Sequence, residues 1–130
     1  MQKLTTSNII IINNKQEVLL VKRAKGADAG DLWSLPGGTC EEGENKEDTL
    51  IRETQEELGC SLFSFNFFRS FETATLKKSV IAHYFFGTIK SLIVLNKIEL
   101  SEYDWFNKSN IPISLAFNQN TVLSEFWKNH

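Results

Sequence analysis

The sequence has little that would place the chain in a membrane or outside the cell. No apolar run approaches the roughly 18 residues that a transmembrane helix requires. The N-terminal segment MQKLTTSNIIIINNKQE lacks the small-residue cleavage site of a signal peptide. The two cysteines, Cys40 and Cys60, form no CxxC or His-paired spacing, which argues against a thiolate metal site. We therefore expect a cytoplasmic chain with two free thiols and no membrane contact.

Length and composition are typical of one globular domain. A chain of 130 residues is long enough to bury a hydrophobic core, and ten Phe residues give that core bulk. No internal repeat, low-complexity tract or linker divides the sequence. We expect a single domain spanning residues 1–130; the sequence does not predict whether it is a monomer or a homodimer.

The net charge is only −2, but the charges are unevenly distributed. Residues 41–57 carry eight acidic and two basic side chains, whereas the rest of the chain carries twelve basic and eight acidic ones. An acidic segment in a mildly basic body suits a site that holds cations and, through them, a polyanionic ligand. The alternative interpretation is a solvated helix face. No basic stripe marks a nucleic-acid groove, so nucleic acid is not an expected partner.

The pattern of apolar residues predicts an α+β fold, with a mixed β-sheet sandwiched between helices. Residues 4–12 and 17–23 are predicted to be the two arms of a hairpin joined by the turn NNKQ. Further strands are expected where Phe, Ile, Val and Tyr are frequent, at 62–71, 79–90 and 103–106. Helices are predicted at 44–58 and 121–128.

The first helix has recognisable ends and one apolar stripe. Asn45 is a candidate N-cap, and Gly59 stops the helix at the C′ position. Leu50, Thr54 and Leu58 fall on one stripe, with Ile51 beside it, and we expect that stripe to be the buried face.

The stretch RETQEE places Glu53, Glu56 and Glu57 on one helical face, where each like-charged pair costs roughly 0.2–0.5 kcal/mol. Gly37 and Gly38 precede this helix, and their backbone carbonyls are available as further oxygen donors. Ligation by oxygen alone is what Mg²⁺ or Mn²⁺ prefers, usually shared with substrate phosphates. A bound divalent cation would therefore offset the repulsion.

Arg52 is well placed to orient these carboxylates. It precedes Glu53 directly and lies four residues before Glu56, within reach of a forked hydrogen bond. Glu44 is a candidate to hold the Arg52 side chain in turn.

Residues 38–60 resemble the Nudix box, GX5EX7REUXEEXGU, in which U is a bulky apolar residue. Its seven fixed positions are all occupied, whereas the two U positions depart from the pattern with Thr54 and Cys60; the fixed residues are Gly38, Glu44, Arg52, Glu53, Glu56, Glu57 and Gly59. Outside the box, LWSLPGG, EVLLVKR and ELSEYDWF resemble the family's usual flanking segments. Length and the position of the box are most similar to small MutT-like members.

The resemblance implies an enzyme that cleaves a nucleoside diphosphate linked to another group X. Glu53 and Glu57 would be the principal Mg²⁺ ligands, with Glu56 and the Gly38 carbonyl completing the shell. Arg52 and Glu44 would orient them. The general base that accepts the water's proton would be Glu53, Glu99 or Glu102, with Glu53 and Glu99 favoured.

Several other residues are candidates for contact with the substrate. By resemblance, Arg23 would touch a phosphate, and Asn118 or Asn120 would supply an amide that reads the base; an exposed cation and helix caps are the alternatives. Gly37 and Gly38 would lie against the ligand. We expect His83 to be structural, and the aromatic residues that alternate with strand spacing to be mainly core: Trp33, Tyr84, Phe86 and Trp105.

The favoured activity is hydrolysis of a nucleoside triphosphate, damaged or not, to the monophosphate and pyrophosphate. The alternative substrates are a nucleoside-diphosphate sugar or ADP-ribose, or less simply the 5′ end of an RNA. Thr75 and Lys77 stand where subgroups for ADP-ribose and dinucleoside polyphosphates often have Pro and Tyr, which argues for the triphosphate. A nucleotide-binding regulator without turnover is a further alternative, although such proteins usually lose carboxylates of the box.

Overall fold

A computed structural model describes residues 2–130. Within them the chain forms seven strands, two α-helices and one short 3-10 turn. In chain order these are β1 (Gln2–Ile11), β2 (Val18–Arg23), β3 (Trp33–Ser34), β4 (Gly37–Thr39), α1 (Lys46–Leu58), β5 (Leu62–Ala74), β6 (Lys78–Ile89), β7 (Leu100–Phe106), the 3-10 turn (Ala116–Asn118) and α2 (Gln119–Asn129).

The strands form two sheets, which confirms the predicted α+β class with a mixed sheet. The larger sheet has the order β4-β1-β6-β5, with β1 and β6 parallel and the other pairs antiparallel. The smaller sheet, β3-β2-β7, is antiparallel.

The predicted hairpin of the first two strands is wrong. β1 and β2 belong to different sheets and meet only through one isolated bridge, between Ile12 and Val18. β1 is already paired along its length with β6, and on its other edge with β4 at residues 6–8. Its backbone groups are therefore taken, and β2 pairs with β3 and β7 instead.

Alternate residues of β1 point to opposite faces of the sheet and feed two cores. Ile9 and Ile11 pack with Phe85 and the buried stripe of α1, whereas Ile10 packs with Tyr84 and α2. Leu50, Thr54 and Leu58 are buried as predicted. Ile51, beside this stripe, turns outward and is 52% exposed.

The ends of α1 follow its sequence signals. Asn45 has extended backbone angles, and its side-chain oxygen accepts a hydrogen bond from the Asp48 N–H at 2.8 Å. The helix consequently begins at Lys46, two residues later than predicted. Gly59 ends it in the left-handed region, with φ of 61°. Within residues 2–130, no helix is long and apolar enough to cross a bilayer.

Candidate active site

The C-terminal half of α1 lies against β4, which brings the carboxylates to the glycine pair. The Gly37 N–H donates to Glu57 Oε1 at 2.9 Å. At Gly38 a Cβ would overlap the Glu53 carboxylate, so a larger residue at this position would displace that carboxylate. The structure therefore places Glu53, Glu57 and Gly38 together, as the sequence predicted.

Arg52 offsets part of the repulsion among the carboxylates. Arg52 donates two hydrogen bonds to Glu44, from Nε to Oε2 at 2.8 Å and from Nη2 to Oε1 at 2.9 Å. Its Nη1 also donates to Glu53 Oε1 at 2.8 Å and to Glu56 Oε2 at 3.1 Å. A further bond to the Thr39 carbonyl ties the helix to the end of β4. These contacts place Arg52 and Glu44 as organisers of the acidic face.

The pKa values of this network follow from its hydrogen bonds. The bonds from Arg52, aided by the Glu41 N–H, lower the pKa of Glu44 to about 2. The bond to Glu44 in turn raises the pKa of Arg52 above its ordinary value. Glu44 and Arg52 thus stay charged at every physiological pH, which keeps the fork intact.

Glu57 differs from Glu44, Glu53 and Glu56 because its negative charge is not paired with Arg52. Glu57 is only 4% exposed, and within residues 2–130 its carboxylate accepts one hydrogen bond, from the Gly37 N–H. Burial raises its pKa to about 8, and the nearby charges of Glu53 and Glu99 act in the same direction. Burial also raises the pKa of Glu53, although the Arg52 hydrogen bond opposes this shift. Two crowded carboxyls short of positive charge fit a divalent cation.

Glu56 stands at the rim of this arrangement. Its side chain is 51% exposed and pairs with Arg52, and it is not among the residues that line the pocket. Among residues 2–130, no three acidic, His or Cys side chains form a ready-made metal cage. The carboxylates of Glu53 and Glu57 therefore leave several positions around a cation to water or to a ligand.

A pocket of about 960 Å³ opens beside the glycine pair, a size typical of small-molecule sites. Glu53, Glu57 and Glu99 all line it. Glu99 lies just before β7 and its charge is felt by both helical carboxyls. Glu102 lies within β7, opposite Lys22, exposed and away from the pocket lining.

The mouth of the pocket combines a cation, an aromatic ring and an amide. The Arg23 guanidinium lies 5.0 Å from the centre of the Phe117 ring, and its Nε donates to the Asp28 carbonyl. Phe117 is 53% exposed and lines the pocket together with Asn118. Both residues have left-handed backbone angles, with φ of 57° and 58°, which is unusual for residues other than glycine.

The two predicted asparagines differ in position. Asn118 is the residue before α2, but its side chain makes no capping hydrogen bond and lines the pocket. Asn120 turns away, since its amide donates to the Pro112 carbonyl and its oxygen accepts from the Leu115 N–H at 2.7 Å. Asn120 therefore holds the loop before α2 and lies outside the pocket.

The sequence reasoning missed several polar residues of the pocket. Gln119 is buried, accepts from the Leu35 N–H at 2.7 Å and donates to the Tyr84 hydroxyl at 3.3 Å. Thr6 and Asn8 lie on the same face of β1 and line the pocket floor. The run of four polar residues at 5–8, directly before the apolar residues 9–12, is the signal that could have revealed them.

The remaining candidates lie outside the pocket, with the exception of one aromatic residue. His83 Nδ1 is 2.6 Å from Ser70 Oγ on the neighbouring strand, and burial lowers its pKa. Trp33, Phe86 and Trp105 pack against the two cores. Of the four aromatic residues considered, Tyr84 is the one that lines the pocket.

Comparison with known proteins gives a consistent result. Residues 2–126 match the family model described as NUDIX domain. The chain is 28% identical over 122 residues to a putative 8-oxo-dGTP diphosphatase of Bacillus subtilis (strain 168), covering 91% of this chain and 76% of that protein. It is also 28% identical over 123 residues to an ADP-ribose pyrophosphatase of Methanocaldococcus jannaschii, covering 92% and 72%.

The fold has close counterparts among solved structures. The crystal structure of a MutT protein from Methanosarcina mazei Go1 superposes with a TM-score of 0.87 at 24% identity, covering 98% of this chain and 94% of that one. Several other curated relatives are matched over only about half of their length.

Proposed function

The chain belongs to the Nudix family, hydrolases of phosphoanhydride bonds in nucleotides, and we propose that its substrate is a nucleoside triphosphate, cleaved to the monophosphate and pyrophosphate. The observation that carries the proposal is the buried Glu57 beside Glu53 and the glycine pair, at the edge of a nucleotide-sized pocket. The 8-oxo-dGTP diphosphatase named among the relatives supports a triphosphate, in either damaged or ordinary form.

Hydrolases of this family generally need a divalent cation, and the oxygen donors here suit Mg²⁺ or Mn²⁺. Glu53, Glu57 and the Gly38 carbonyl would hold the ion, with Glu56 available at the rim. Once bound, such an ion neutralises charge on the phosphates and lowers the pKa of a coordinated water. Arg52 and Glu44 keep the two carboxylates facing β4.

The proton of the attacking water must pass to a base on the protein. Glu99 is our choice, because it lines the pocket and its carboxylate makes no hydrogen bond or ion pair within residues 2–130. Glu53, the other favoured residue, is engaged by Arg52. Glu102 does not line the pocket, so we do not assign it this role. Arg23 and Asn118, at the mouth, are positioned to meet a phosphate and a base.

The direct test is a hydrolysis assay on the purified protein with a panel of nucleotides and Mg²⁺. We expect metal-dependent release of pyrophosphate and a nucleoside monophosphate. Glu57→Gln should remove most turnover while the fold survives, whereas Glu47→Gln should not, because Glu47 is a partly exposed carboxylate in the first turn of the same helix and pairs with Lys46. Equal turnover in the two variants would refute the assignment of Glu57.

ADP-ribose is the second candidate, favoured by the Methanocaldococcus relative. Thr75 stands in the tight turn between β5 and β6, where its N–H donates to the Lys78 carbonyl. Including ADP-ribose and a nucleoside-diphosphate sugar in the panel decides between the two candidate functions. Cleavage of either of these substrates releases a nucleoside monophosphate without pyrophosphate, whereas cleavage of a triphosphate releases both. Tight nucleotide binding with no product from any substrate would instead indicate a regulator without turnover.

A further inference from the structure

The floor of the pocket contains a polar pair that the chemistry of phosphate hydrolysis does not use. Thr6 and Asn8 lie two residues apart on β1, with side chains on the same face. Their neighbours on this face, Leu4 and Ile10, are apolar. Asn8 is only 8% exposed, so its amide has been withdrawn almost completely from bulk solvent.

Hydrogen bonds fix the orientation of the Asn8 amide. Its Nδ2 donates to Thr6 Oγ1 at 3.0 Å and to the His83 carbonyl at 3.3 Å. A carbonyl oxygen can only accept, so the nitrogen must face His83 and the oxygen must face the other way. Both amide protons are thereby used, and Asn8 Oδ1 remains as an acceptor.

That acceptor is open. Within residues 2–130 no donor bonds to Asn8 Oδ1, and the oxygen is not among the side-chain atoms sealed from solvent without a partner. Gly37 lies directly above it, where a Cβ would come within 2.6 Å of Oδ1. The missing side chain at Gly37 therefore leaves Asn8 Oδ1 uncovered.

Thr6 contributes the complementary group. Its Oγ1 accepts a hydrogen bond from the Asn8 amide, so the Thr6 hydroxyl hydrogen is free to point elsewhere, and no acceptor among the described residues takes it. Its partner across the parallel pair with β6 is the small Ala82, which leaves the hydroxyl uncovered. The pair thus presents one acceptor and one donor to the pocket, next to the acidic end.

We propose that Asn8 and Thr6 determine nucleoside specificity, with Asn8 Oδ1 accepting a hydrogen bond from a base N–H or sugar hydroxyl and the Thr6 hydroxyl donating one in return. This inference rests on the proposed function, because it assumes that a nucleotide occupies the pocket. If Asn8 and Thr6 were purely structural, all their polar groups would be hydrogen-bonded within the protein. Instead, Asn8 Oδ1 and the Thr6 hydroxyl hydrogen have no partner among the described residues and face the cavity. An apolar residue at position 8 would fill the same space without burying a polar group that lacks a hydrogen-bond partner.

The test compares nucleotides with a ligand that has phosphates but no nucleoside. For wild type, Thr6→Val and Asn8→Ala, kcat/KM is measured for ribonucleoside and 2′-deoxyribonucleoside triphosphates with different bases. The inhibition constant of inorganic tripolyphosphate is measured on the same proteins with Mg²⁺. Thr5→Val is the matched control, because it is the same substitution one residue away, on the opposite face of β1. Thermal melting checks that each variant folds.

We expect Thr6→Val and Asn8→Ala to lower kcat/KM for nucleotides by about tenfold each, the usual effect of one hydrogen bond. Binding of tripolyphosphate should change by less than about twofold, and Thr5→Val should resemble wild type. If the donor is a sugar hydroxyl, Asn8→Ala will also abolish any preference between ribose and deoxyribose. If it is a base N–H, the order of preference among bases will change instead.

Equal losses for nucleotides and tripolyphosphate, or no loss for either in Thr6→Val, would overturn the inference. If Asn8→Ala fails to fold, Thr6→Val alone provides the test, because the valine side chain has nearly the same shape as threonine. Failure of the wild type to hydrolyse any nucleotide would be a different result, because it would count against the proposed function rather than against the pair.

Discussion

Replacing Glu57 by Gln is expected to stabilise the metal-free protein while it removes catalysis. Glu57 is 4% exposed, and burial raises its pKa from an ordinary 4.5 to about 8. A carboxyl whose pKa is higher in the folded state binds its proton more tightly there, so it costs stability as pH rises from 4.5 toward 8. Gln keeps the acceptor for the Gly37 N–H and carries no charge.

The two pKa values give the size of the effect. The cost of ionising Glu57 in the folded state rises from about 1 to 2 kcal/mol at about pH 5.5 to about 4 to 5 kcal/mol at about pH 8.5. The advantage of Glu57→Gln over wild type in free energy of unfolding should therefore grow by about 3 kcal/mol across this range.

Urea unfolding in EDTA, at several pH values, measures this difference. Glu44→Gln is the control of opposite sign, because the pKa of Glu44 is lowered to about 2. Its folded and ordinary pKa values both lie below the range tested, so its loss of stability should be nearly constant with pH. A difference between Glu57→Gln and wild type that does not change with pH would refute the reasoning about Glu57.

Three further predictions follow from single contacts. Gly38→Ala should lower kcat by about tenfold or more with little loss of stability in urea unfolding, because its Cβ would displace the Glu53 carboxylate; normal activity would contradict the close approach. Arg52→Lys should lower kcat by about tenfold or more without restoring the fork to Glu44, since an ammonium cannot replace the guanidinium's two parallel bonds; kcat equal to wild type would contradict this. Phe117→Ala should raise KM several-fold, about 1 kcal/mol, with little change in melting temperature, whereas Ile113→Ala, an exposed residue outside the pocket lining, should leave KM unchanged; equal KM values in both variants would show that the ring does not contact substrate.

The acidic helix was predictable because its signals are local. The spacing of Glu53, Glu56 and Glu57, the cap at Asn45 and the stop at Gly59 all lie within about four helical turns, where geometry follows directly from sequence. The pairing of β1 with β6 was not predictable in this way. It joins segments more than 70 residues apart, and it competes with a hairpin that the turn NNKQ favours locally.

For two pairs of candidate residues, a separation of two or three positions along the chain determines which member lines the pocket. Glu99 and Glu102 belong to the same short segment, but β7 begins between them, so one reaches the pocket and the other lies on the exposed strand. Asn118 and Asn120 are separated in the same manner by the start of α2. Such positions depend on where an element begins, which is the least certain part of any reading from sequence.

Binding of Mn²⁺ in the presence of a non-hydrolysable nucleoside triphosphate analogue tests most directly whether Glu53 and Glu57 hold a cation beside a phosphate chain. Electron paramagnetic resonance can count the ions bound by protein and analogue beyond those bound by the analogue alone. We predict that wild type and Glu47→Gln bind additional Mn²⁺, and that Glu57→Gln loses it. Equal Mn²⁺ binding by all three proteins, or no additional ion in wild type, would contradict the account.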